Sequence, residues 1–226
     1  MSEITMKIMA QLKLMLAILA VAFISTFSIT GQDTVKITSP KEHFGFTPGD
    51  DRMLFDYNSL IEYMSVLDRA SPRLRLVEIG KSPLGKTMYI AFISAAENIA
   101  MLDELRDLNR ELALNPDIPE EKRKEMIDRG KVFVLGTLSM HSGEVAPSQA
   151  SPLIAYELVT TEDPVIRERM NNVVYMMVPN HNPDGMDFVV NNYKKYKGTR
   201  YDGASLPGVY HKYVGHDNNR DFVILS

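Results

Sequence analysis

Three short stretches carry the side chains able to do chemistry. The first is Met140-His141-Ser142-Gly143-Glu144, where a histidine and a glutamate stand three residues apart. On a tight turn entering a helix, that spacing can aim an imidazole nitrogen and a carboxylate at one metal ion, and both donors suit zinc. The same pair also fits a surface histidine beside a glutamate placed for a helix N-terminus. The second stretch is Pro179-Asn180-His181-Asn182-Pro183-Asp184-Gly185. Its Asn-Pro-Asp-Gly core is strong turn chemistry and is fully explained by chain reversal, with His181 read as packing against the turn. The third is Gly215-His216-Asp217-Asn218-Asn219-Arg220-Asp221. A guanidinium beside an amide makes a carboxylate receptor, and a nearby aspartate can accept the second ring N–H of a metal-bound histidine. A plain polar loop whose arginine pairs with Asp217 or Asp221 explains the stretch equally well.

These stretches need elements to hold them. Asp56 is a good N-cap, and Leu60, Ile61, Met64 and Leu67 keep helical spacing to about Arg69. The runs Leu74–Ile79 and Met88–Ile93, joined through a Gly80–Gly85 turn, predict a β-hairpin. Ile99, Leu102, Leu105, Leu108 and Leu112 form one stripe on a helix over residues 97–113. A loop and short helix are expected over Pro116–Arg129, and helices from Pro147 to about Val159 and over 164–172. Val132–Leu135 and Val173–Val178 are continuous apolar runs, which predict strands buried on both faces. Strand, helix, strand in that pattern predicts an α/β fold: a mixed, twisted sheet with helices on both faces. In such folds ligands gather at the carboxyl ends of strands, and the first two motifs follow the two apolar runs directly.

The chain has 226 residues, 45% hydrophobic and 24% charged, with a net charge of −4. Such a composition excludes a disordered, collagen-like or multi-span membrane chain, and nothing in it would hold nucleic acid. There is no cysteine, so disulfides, thiol nucleophiles and cysteine-based zinc sites are excluded. Lys7 and Lys13 precede an apolar stretch, Leu14 to Ile24, followed by small and polar residues to Gly31. Residues 1–31 are read as a cleaved export signal, leaving no stable membrane span and placing the chain in a periplasm or outside the cell. Residues 32–55 are read as a linker or wrapping arm, and 56–226 as the folded domain.

Taken together and in this order, His141-Ser-Gly-Glu144, Asn182-Pro-Asp-Gly185 and Gly215-His-Asp217-Asn-Asn219-Arg220 resemble the motifs of the zinc carboxypeptidase family, the carboxypeptidase A type of metallopeptidase. The hairpin from Val77 to Ile93 also resembles that family's opening strands. The resemblance covers about residues 56–222. It implies an eight-stranded mixed sheet between helices and hydrolysis of peptide bonds, usually the last one. It further implies Zn2+ as cofactor, with His141 and Glu144 as metal ligands and Asp217 as the partner of His141. Asn219 and Arg220 would bind the free C-terminal carboxylate of a peptide or protein substrate. Where the family stabilises the oxyanion with an arginine, an ungapped count finds Lys197, with Arg200 three residues on.

The family's third zinc ligand and general-base glutamate lie well beyond the Asn-Arg motif, so no general base is expected within this chain. The sequence is accordingly read as an incomplete copy of the catalytic domain, ending in the strand-like Phe222-Val-Ile-Leu-Ser226. Two other functions stay open: an amidase or deacylase acting on peptidoglycan or acyl-amino acids through the same zinc site, and a non-catalytic carboxylate- or peptide-binding remnant.

Overall fold

The computed structural model describes residues 36–212 and 214–221. The export signal and the apolar tail expected from the sequence lie outside the described residues. Among the described residues, no helix is long and apolar enough to cross a membrane.

Four strands form one mixed sheet. β1 (Leu74–Lys81) and β2 (Thr87–Ile93) make the expected antiparallel hairpin, β2 pairs antiparallel with β4 (Val173–Val178), and β3 (Val132–Thr137) pairs parallel with β4. The order across the sheet is β1-β2-β4-β3. Because side chains alternate along a strand, the sheet sends Ala91, Ile93 and Met177 to one face and Phe92, Phe133 and Val174 to the other.

The first face carries the main core. α2 (Tyr57–Ala70), capped by Asp56, whose side chain accepts from Ser59 N at 3.0 Å, buries Leu60, Tyr63, Met64 and Leu67 there. α6 (Val145–Thr160), α7 (Pro164–Asn172) and α8 (Pro183–Tyr196) add Ala155, Val159, Met170, Met186 and Val190. Pro152 sits inside α6 and has no N–H for the Ser148 carbonyl; the Ser151 hydroxyl donates to that oxygen at 2.8 Å instead. The segment expected as linker or arm carries a short helix, α1 (Pro40–Phe44), and Phe44 stacks on Phe55 with ring centroids 4.3 Å apart. Tyr63 ties the arm down by donating to the Thr38 carbonyl at 2.9 Å.

The second face is covered by α3 (Ala96–Ala100) and α4 (Leu102–Leu114), with Ile99, Leu102 and Leu105 against Val174; α5 (Glu120–Arg129) follows before β3. The single helix expected over 97–113 is therefore two. Met101 leaves helical geometry because its N–H closes a tight turn on Asn98 and Glu97, while the Asn98 side chain is held by Ser94 Oγ and by the carbonyls of Met170 and Asn171.

A second correction concerns β3. The apolar run predicts burial on both faces, yet among the described residues β3 is the sheet edge, with Val132 62% and Leu135 58% exposed. An apolar run records that something covers a strand, and among the described residues only β4 and Phe133's neighbours do so.

Candidate metal centre at the ends of the parallel strands

β3 and β4 run parallel, so their carboxyl ends lie side by side, and the ladder continues past the strands. Leu138 N donates to Val178 O at 3.1 Å, and His181 N donates to Leu138 O at 2.7 Å. The two motif-bearing loops thus leave the sheet together, as parallel α/β sheets lead one to expect.

The loop after β3 is shaped by Ser139, a buried residue with φ 53°. Such left-handed backbone is uncommon for a residue with a Cβ and persists where surrounding bonds hold it. Here the Ser139 hydroxyl donates to the Glu144 carbonyl at 2.9 Å and accepts from Ser148 N at 3.0 Å, lacing the loop to the first turn of α6. Glu144 N closes the turn on His141 O at 3.0 Å. The side chains of His141 and Glu144 then converge, with Nδ1 3.3 Å from Glu144 Oε1.

The other ring nitrogen faces Asp217, with His141 Nε2 2.9 Å from Oδ1. Asp217 is itself held: Asn219 N donates to Oδ1 at 2.8 Å, and the Tyr210 hydroxyl donates to the same oxygen at 3.1 Å. The Asn219 N–H, assisted by His141 and Tyr210, holds the Asp217 carboxyl below its usual range although burial works the other way. For His141, burial favours the neutral ring, but the hydrogen bonds to Asp217 and Glu144 outweigh it and raise the pKa above the ordinary imidazole value.

The loop after β4 does the opposite work. Asn182 caps α8, accepting from Gly185 N at 3.0 Å, and its Nδ2 reaches the Met140 carbonyl at 3.3 Å beside His141. Buried Asp184 accepts from Ser82 Oγ at 2.8 Å and Leu84 N at 3.1 Å, clamping the β1–β2 turn onto α8. Any Cβ on Gly185 would collide with Ser142 Oγ and the Tyr210 carbonyl oxygen, so the residue must be glycine for these segments to meet. His181, expected to pack in the turn, is instead exposed, its backbone N–H donating to Leu138 O.

The structure brings His141, Glu144 and Asp217 together. Asn219 and Arg220 stand next to them on a short 3-10 turn, exposed, with an Arg220 guanidinium nitrogen 3.7 Å from Asp217 Oδ2. It does not draw in the two residues considered for the oxyanion. Lys197 donates to the Arg52 carbonyl at 2.7 Å, and Arg200 hydrogen-bonds Tyr201 while its guanidinium lies over that ring. Beside Gly143 and Val145 a cavity of about 710 Å3 opens between the 49–54 arm, α6 and α8, walled by Leu54, Ala146 and Val189. Sequence reasoning missed Tyr210, which lies seven residues before Asp217 in no motif, and Ser139, whose role depends on a backbone angle that sequence does not display.

One imidazole nitrogen and one carboxylate oxygen at this spacing are the donor types zinc takes, and the aspartate on the far nitrogen is the support a metal-binding histidine usually has. The residues therefore fit two ligands of a zinc site; among the described residues no group of three His, Asp or Glu side chains assembles around one point.

Residues 60–225 match the model of the zinc carboxypeptidase family, and the chain belongs to that family. Its fold is similar to that of carboxypeptidase A from Helicoverpa armigera, at 17% identity and TM-score 0.43 over 73% of this chain and 36% of that one. It is also similar to a metallo-carboxypeptidase from Burkholderia cenocepacia, at 19% identity and TM-score 0.38 over 57% and 27%. Thrombin activatable fibrinolysis inhibitor is similar at 14% identity and TM-score 0.46, over 84% of this chain and 38% of that one. The chain thus spans roughly a third of the length of these structures. No curated protein matches it in sequence.

Proposed function

We propose that the protein is a zinc-dependent metallocarboxypeptidase domain, or the amino-terminal part of one, exported and acting on peptides with a free C-terminal carboxylate. The observation that carries this reading is the placement of Asp217 on His141 Nε2, which leaves Nδ1 turned toward the Glu144 carboxylate. His141 and Glu144 would hold the ion. When bound, zinc supplies a Lewis acid and a water of lowered pKa.

The chain's own residues would orient the histidine and receive the substrate. Asp217 fixes the His141 tautomer, with the proton on Nε2 and the lone pair on Nδ1. Tyr210 and the Asn219 N–H keep Asp217 ionised and aimed. Asn219 and Arg220, both exposed beside this cluster, would receive the substrate carboxylate, Arg220 through its two-pronged guanidinium. The cavity lined in part by Gly143 and Val145 would offer space for the peptide. Export is supported by the lysines ahead of the apolar Leu14–Ile24 stretch.

A peptide-binding titration with zinc present tests the reading. A free C-terminal carboxylate should bind, and either amidation of the peptide or Arg220→Ala should weaken it about tenfold or more, in line with a lost charge-assisted pair. Equal binding of the free and amidated peptides would refute the carboxylate assignment.

A further inference from the structure

Beneath the loop that carries His141 and Glu144 lies a void of about 10 Å3, bordered by Ser142, Ser148 and Asn180 and by the apolar Val145, Met186 and Val190. Ser142 and Asn180 are each 2% exposed. Ser142 Oγ and Asn180 Oδ1 are cut off from solvent and have no hydrogen-bond partner among the described residues. The Asn180 amide cannot solve this by turning over. Its Nδ2 donates to Ser148 Oγ at 2.7 Å, and exchanging the two amide atoms would satisfy one and strand the other. Buried polar atoms left dry are costly, which is why native structures pair nearly all of them. Two residues with such atoms border one small void of about the volume one water needs, which points to a solvent site.

We propose that this void is a hydration site holding one ordered water, which accepts from the Ser142 hydroxyl and donates to Asn180 Oδ1. The water joins the loop after β3 to the chain leaving β4 from the inside, where Asn182 joins them from the outside through the Met140 carbonyl. Ser142 lies between the two candidate metal ligands, so the water steadies the turn on which both stand. This inference holds whether or not the chain binds zinc.

A high-resolution crystal structure of the chain should show a single solvent peak within hydrogen-bond reach of both oxygens. An empty void, or a Ser142 hydroxyl turned onto a protein carbonyl, would overturn the proposal. In solution, Ser142→Ala should lose the water and raise amide hydrogen exchange at residues 142–144 about tenfold, with the β1–β2 hairpin unchanged. Unchanged exchange at 142–144 would count against it. Should that variant not fold, water-to-amide NOEs in the unaltered protein decide: a long-lived contact at Ser142 and Asn180 supports the site, and its lack refutes it.

Discussion

The two loops that leave the parallel strands start from the same place in the fold and use it differently. After β3, the chain buries Ser139 and Ser142 but turns its two candidate ligands outward, so that His141 is partly exposed and Glu144 exposed. After β4, it turns them inward: Asn180, Asn182 and Asp184 are all buried and spend their hydrogen bonds on Ser148, Gly185, Ser82 and Leu84. One loop presents donors to whatever arrives from solvent, and the other fixes where those donors stand. A strand end becomes a site only when its neighbour is given over to holding it.

If that division is right, removing a holding side chain should cost stability and removing a presented one should not. The largest effect is expected from Gly185→Ala, whose methyl would collide with Ser142 and the Tyr210 carbonyl. Overpacking of that kind should cost about 3 kcal/mol, read by denaturant unfolding. Asp184→Ala comes next, because it strands Ser82 Oγ and Leu84 N around a buried gap. A loss of about 2 kcal/mol is expected, with the far-ultraviolet circular dichroism of the folded state unchanged.

Glu144→Ala, in contrast, should stay within about 0.5 kcal/mol of the parent stability while weakening zinc binding about tenfold or more. A Glu144→Ala chain that unfolds as readily as Asp184→Ala would erase the distinction between the loops.

The smallest effect concerns pH. His141 holds its proton above the ordinary imidazole range once folded. Its pairing with Asp217 and Glu144 therefore stabilises the fold fully below about pH 6.5, and the contribution fades as pH rises through the raised value. An NMR titration of the metal-free protein should find the His141 midpoint above the ordinary imidazole value, and Asp217→Asn should bring it down.

Much of this was legible from residue spacing alone. Asp56 as a cap, the hairpin and the two strands depend on local rules, whereas the chemical reading of the three motifs came from the family resemblance that their order carries. The break at Met101 was not legible, because it depends on Asn98 finding carbonyls more than seventy residues away. Nor was the exposure of β3, since an apolar run looks the same at an edge as in the middle of a sheet. Within the site, Asp217 could be picked out by its motif, whereas Tyr210 and Ser142 act through placement that only the assembled loops create.

In the proposed site His141 would meet zinc through Nδ1, with Nε2 kept for Asp217. The direct measurement is nitrogen-15 NMR of the imidazoles as Zn2+ is added to the full chain. Zinc should shift His141 Nδ1 and leave the proton on Nε2, and the shift should be lost in Glu144→Ala at the same zinc concentration. Zinc that leaves His141 Nδ1 unmoved, or that takes Nε2 in place of Asp217, would contradict it.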